Sequence, residues 1–153
     1  MIVDGNYPLP GTPPVIWDLL MDPAVLAKAM PGTKTLDRVA PDRYEGIMRV
    51  GIGPITAAEF ELSIVLSDVR QPESYAMQID GKGKFGFTRG IARVELVPEG
   101  AGTVMRYSAD LQVGGKIAAL GQRLLESVSR LLTRQGLEAL NQELKARLGD
   151  APA

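Results

Sequence analysis

The sequence predicts an α+β domain in which a curved antiparallel sheet is covered by one long C-terminal helix. Three observations carry that expectation. Apolar residues recur at every second position through much of Lys34 to Val113, they recur at helical spacing from Gly115 to Leu148, and proline and glycine punctuate the chain between segments. With 153 residues, 45% of them apolar and 23% charged, the expected organisation is one domain over 1–149 and a short flexible tail at 150–153.

Ile2 to Leu9 reads as an opening strand stopped by Pro10-Gly11. Thr12 then stands as an N-cap before Pro13 in the first helical position, and Ile16, Trp17, Leu19 and Leu20 give this short helix its apolar side. Asp22 before Pro23 repeats the signal, and Val25, Leu26 and Met30 continue the helical spacing until Pro31-Gly32 ends it. From there the period changes to two. Phe60, Leu62, Ile64 and Leu66 alternate with Glu59, Glu61, Ser63 and Val65, and Met105, Tyr107, Ala109, Leu111 and Val113 form a matching row. Weaker alternation between turns at Pro41-Asp42, Gly53-Pro54, Gln71-Pro72 and 99–102 completes a six-stranded meander.

The terminal segment is expected to be a single helix, with Ile117, Leu120, Gly121, Leu124, Val128, Leu131 and Leu132 on one stripe facing the sheet. A glycine inside a helix costs about 1 kcal/mol relative to alanine. Gly121 is therefore read either as a close approach of backbones or as room for a ligand. Beyond Gly136 the apolar stripe moves to Leu137, Leu140, Leu144 and Leu148. Either the helix bends near Gly136 so that these leucines pack on the domain, or they form a contact surface for a partner, a second copy or a membrane. This segment is also mildly cationic, with Lys116, Arg123, Arg130, Arg134, Lys145 and Arg147 against Glu126, Glu138 and Glu143.

The absences narrow the chemistry. Without histidine or cysteine the chain lacks the commonest nucleophile bases, zinc ligands and redox thiols. A formal charge of −1 argues against a general nucleic-acid binder, which needs a dense cationic surface. The first residues lack the pattern of a secretory signal, and no run of about 18 apolar residues occurs. A cytoplasmic protein is the expectation. Gly81 to Gly86 satisfies G-x-G-x-x-G, but the residues after it read as a strand instead of a helix, so a hairpin turn is expected there. Glu59 and Glu61 share the polar face of one strand and read as solvated charges, and Asp68, Asp80 and Asp110 have no metal-ligand spacing. Neither a catalytic residue nor a metal site is expected. Tyr7, Tyr44, Tyr75 and Tyr107 could place hydroxyls in an apolar interior, and Met48, Met77 and Met105 would make that interior adaptable or simply fill it.

Four stretches carry a family resemblance: Met30-Pro31-Gly32, Gly51 to Ala57, Gly81 to Ala92 and, above all, Val113 to Leu124. They resemble the CoxG family, the G-subunit family of carbon monoxide dehydrogenase, over nearly the whole chain. Trp17-Asp18-Leu19-Leu20 with Asp22-Pro23 is shared more widely across the START-like, helix-grip superfamily that includes Bet v 1 and polyketide cyclases. The resemblance implies a seven-stranded antiparallel sheet gripping the long helix around an apolar cavity, with two short helices after the first strand. It also implies a molybdenum hydroxylase of the carbon monoxide dehydrogenase type as partner, membrane recruitment of that enzyme, and binding of menaquinone or another isoprenoid quinone or lipid. Longer relatives carry a linker and a membrane-associating C-terminal segment. The chain stops at Ala153, so at most peripheral contact at the inner face of the membrane is expected.

The functional expectation is a non-enzymatic carrier whose pocket buries a hydrophobic small molecule. Covering a few hundred Å² of apolar ligand surface contributes several kcal/mol at about 25 cal/mol per Å². The expected wall or mouth residues are Trp17, Leu26, Met30, Met48, Phe60, Leu62, Met77, Phe85, Phe87, Tyr107, Ile117, Leu120, Gly121 and Leu124. The alternative is an assembly factor working by protein contact alone, with Arg130, Arg134, Leu137, Leu140 and Leu144 as its partner surface. A cyclase or hydratase using tyrosine and aspartate is a third reading.

Overall fold

A computed structural model describes residues 1–149, so the expected tail at 150–153 lies outside the described residues. Strand β1 (Ile2–Leu9) is followed by helices α1 (Pro13–Met21) and α2 (Pro23–Ala29). Strands β2 (Thr33–Ala40), β3 (Arg43–Ile52), β4 (Ile55–Arg70), β5 (Ser74–Gly83), β6 (Gly86–Glu99) and β7 (Gly102–Gly114) form the meander, and helix α3 (Gln122–Gly149) follows it. All seven strands join one antiparallel sheet in the order β1-β7-β6-β5-β4-β3-β2. The expected fold is the observed one.

Local chemistry explains the two short helices. Pro13 and Pro23 each open a helix where a missing N–H costs nothing. Asp22 ends α1 and caps α2, its carboxylate accepting from Ala24 N–H at 2.9 Å. That carboxylate also accepts from the Arg147 guanidinium near the end of α3 at 2.9 Å, which holds its pKa below the ordinary value. The glycine-rich pattern at 81–86 is a hairpin, with Gly83 opposite Gly86 and β6 running on from it.

The terminal segment differs from expectation at its start. Gly115–Leu120 is a short 3-10 helix, and Gly121, at φ +96°, separates it from α3. A side chain rarely adopts that conformation, so Gly121 ends one helix and starts another. Toward the other end Gly136 is buried, and a Cβ there would overlap the carbonyl oxygen of Ala29 at the end of α2. Gly136 is the close approach.

That approach lets α1 and α2 bury the leucines that follow. Leu140 and Leu144 are 3% and 0% exposed and belong to a core with Leu9, Ile16, Trp17, Leu19, Val25, Tyr75 and Met105; Leu137 packs against its edge. The partner-surface reading of Leu140 and Leu144 is thereby corrected. Their shift around the helix follows a change of neighbours, from the sheet alone to a sheet joined by two helices. Lys28–Glu143 and Arg147–Asp22 ion pairs flank the same contact. Leu131, placed on the buried stripe by spacing, is 43% exposed.

Burial in this core pushes the Tyr75 hydroxyl well above its ordinary pKa of 10.0, and Tyr44 shifts the same way chiefly through burial. A phenol whose folded pKa is raised stays neutral in the folded state but ionises in the unfolded chain at about pH 10. Its contribution is therefore intact below the unfolded pKa and is lost as pH rises toward the folded one. The thermal midpoint is expected to fall above about pH 10, and Tyr75→Phe is expected to flatten that fall. An equally steep fall in the variant would assign the alkaline loss elsewhere.

A candidate ligand cavity between two cores

The buried residues form two clusters, one under α1 and α2 and another around Ile52, Ala58, Phe60 and Ile117 near the β5–β6 hairpin. Between them lies a cavity of about 420 Å³. Cross-strand register explains it. Val3, Ala109, Ala92, Met77 and Leu66 form one inward row across β1, β7, β6, β5 and β4, so two alanines sit side by side at the middle of the floor. Thr88 adds a third small residue on the inner side of β6. Leu125, Val128 and Leu132 of α3 form the roof, with the hydroxyl-bearing Ser129 and Thr133 beside them. Small floor residues beneath a helix held by cores on both sides leave a hollow.

Seven of the expected wall residues line this cavity: Met30, Met48, Phe60, Leu62, Met77, Tyr107 and Ile117. The other seven lie elsewhere. Trp17 is 3% exposed and meets Tyr75 edge-to-face at 5.3 Å within the first core, against which Leu26 also packs. Phe85 and Leu120 pack on the second core, and the Phe85 carbonyl accepts from Ile117 N–H at 2.8 Å. Phe87 occupies the alternate, outward register of β6 beneath the Arg89 guanidinium, 4.8 Å from its ring. Leu124 faces Gly53 in the β3–β4 turn, and Gly121 is exposed with no neighbouring atom where a Cβ would stand. Gly121 therefore leaves no room in the pocket.

The expected wall omits Ala92, Ala109 and Thr88 on the floor and Val50, Ile52, Ile79, Leu125 and Val128 on the walls, although spacing puts Ala109 in an alternating row and Val128 on the stripe facing the sheet. Their signal in the sequence is small residues at inward positions of β6 and β7. Attention to large apolar residues passes over the ones that make space.

The cavity lining is mainly apolar, with Arg93, Tyr107, Ser129 and Thr133 among its polar members. Among the described residues no group of three or more acidic side chains is placed to hold a metal ion, and Glu59 is engaged outside by Arg49 at 2.9 Å. Larger hollows of about 680 Å³ lie on the outer sheet face, but charged side chains such as Arg49, Glu59, Glu61 and Lys82 wall them. Charged groups of that kind keep their water. The inner cavity is the one suited to an apolar guest.

Residues 5–145 match the family model of CoxG, the G subunit of carbon monoxide dehydrogenase. The chain belongs to the CoxG family. A conserved protein from Geobacillus kaustophilus superposes with a TM-score of 0.89 at 30% identity, covering 95% of this chain and 96% of that one. A START superfamily protein from Mycobacterium smegmatis gives 0.71 at 14% identity over 95% and 97%, and Ara h 8.0201 gives 0.65 at 12% over 95% and 98%. These two likenesses establish a START and Bet v 1-like fold for this CoxG member. No curated protein matches the sequence. Among the described residues no helix is long and apolar enough to cross a membrane.

Proposed function

We propose that this CoxG member is a non-enzymatic carrier that holds an isoprenoid quinone or similar lipid and presents it to a carbon monoxide dehydrogenase-type molybdenum hydroxylase, at most touching the membrane peripherally. The observation that carries the reading is an apolar cavity of about 420 Å³ in a chain of this family without histidine or cysteine. Ligand pockets commonly measure about 300–1,000 Å³. A dry, sealed cavity of this size would cost on the order of 10 kcal/mol at about 24 cal/mol per Å³, an upper bound that water entering an open mouth reduces. Such a cost supports a cavity kept for an occupant. Burial supplies affinity, and electron transfer belongs to the partner enzyme. Burial of Leu140 and Leu144 takes two of the five expected contact residues out of a partner's reach, and Arg130 and Arg134 stay exposed.

Ala92→Phe fills the middle of the floor. The variant is expected to melt at or above the wild-type temperature, because filling space adds contacts, and to bind apolar ligand at least about tenfold more weakly. Organic extraction of purified protein followed by mass spectrometry should recover a quinone or lipid from wild type and not from the variant. Undiminished ligand recovery from a folded Ala92→Phe protein would refute this placement of the pocket.

A further inference from the structure

We propose that the groove between β1 and α3 is the head-group subsite of the cavity and takes the oxygen-bearing head of a single-chain amphiphile. This inference rests on the carrier reading and specifies what its ligand must look like. A second hollow of about 440 Å³ runs between β1 and α3. It shares Val3, Tyr107 and Thr133 with the apolar cavity, so the two spaces adjoin across these three residues. The character of the lining changes across that junction.

Beyond it stand Arg130 and Arg134, one helical turn apart on α3, with Tyr7 opposite on β1. Both arginines are exposed, and neither makes an ion pair among the described residues, although Asp4 and Glu138 line the same groove. Two arginines lining a groove beside an apolar hollow, with Tyr107 and Thr133 shared by both, suit an oxygen acceptor attached to an apolar chain. A carboxylate and a quinone carbonyl share that chemistry.

Cavity size limits how much of the guest is enclosed. A cavity of about 150 Å³ accepts a benzene ring, so 420 Å³ corresponds to roughly three such rings, or about 18 carbons. A saturated acyl chain of ordinary length would fit. For a polyprenyl quinone with its head at the groove, only the first few isoprene units would be covered and the remaining tail would have to leave the cavity.

The test uses the full chain and a neutral fluorescent dye, N-phenylnaphthylamine, as a reporter of the apolar cavity. Palmitate and a naphthoquinone bearing two isoprene units then compete for it. The dye is expected to bind wild type and Arg130→Ala/Arg134→Ala alike, while at least one competitor displaces it about tenfold less effectively from the double variant. Lys116→Ala/Arg123→Ala, which loses the same formal charge elsewhere, should displace as wild type. Which competitor responds to the arginines distinguishes a carboxylate head from a quinone head. Equal displacement from wild type and the Arg130/Arg134 variant, an equal loss in the Lys116/Arg123 control, or dye binding with no displacement by either competitor overturns the head-group subsite while leaving the cavity standing. Failure of wild type to bind dye or competitor overturns the subsite and the carrier reading together.

Discussion

Leu144→Ala is expected to lower the unfolding free energy by about 2–5 kcal/mol, the range for truncating a buried leucine in a core that cannot collapse around the gap. Leu144 is 0% exposed and reaches back to the β1–α1 connection, where a Cβ on Gly11 would stand 3.1 Å from its Cδ1. Its surroundings come from β1, α1, α2 and the sheet, so no single side chain can move in to fill the space. Leu148, 41% exposed four residues further on, provides the contrast, and its truncation should stay within about 0.5 kcal/mol. Urea denaturation of both variants at equal m-value checks the difference. A partner surface would give the opposite pattern: little change in stability for Leu144→Ala and a loss of association.

The sequence discloses the elements of this fold more fully than the space between them. Strand β1, the N-cap position at Thr12, whose side chain makes no capping bond, and the Asp22 cap depend on residues adjacent in the chain, and the inward rows of β4 and β7 on a period of two, so local reading locates them. Gly121 is misread by spacing because a glycine in a helical stripe and a glycine that breaks a helix recur alike; only its backbone conformation, at φ +96°, separates them. The leucines after Gly136 raise a different problem. Periodicity shows their face turning around the helix, but whether that face meets a partner or the domain depends on where α1 and α2 pack.

The cavity is legible in kind and half legible in detail. Large apolar residues at inward positions identify the lining of a core, whereas a hollow requires small residues to meet across strands. Ala92 and Ala109 are adjacent only through the β6–β7 register, 17 positions apart in the chain. Phe87 shows the same dependence on register, since a shift of one position on β6 carries a side chain through the sheet to the outer face. Trp17 and Leu26 fail as wall residues for another reason: the helices that carry them close the cavity's neighbouring core instead of its mouth.

Gly136→Leu is expected to destabilise the domain at or above the upper end of the roughly 1–3 kcal/mol that overpacking costs. Helix propensity alone predicts the reverse, a gain of about 1 kcal/mol on replacing a helical glycine. The steric effect wins because the added Cβ would overlap the Ala29 carbonyl oxygen, a backbone atom that cannot rotate aside as a side chain could. Relief requires α2 to move away from α3, loosening the Lys28–Glu143 and Arg147–Asp22 pairs and uncovering Leu140 and Leu144. Gly121→Ala meets no neighbouring atom, and its cost is confined to a positive-φ extended backbone, about 1–3 kcal/mol. Chemical denaturation should therefore rank Gly136→Leu as the more damaging change. The reverse ranking would mean that α2 and α3 are not in backbone contact, and that the leucines beyond Gly136 have lost the wall that buries them.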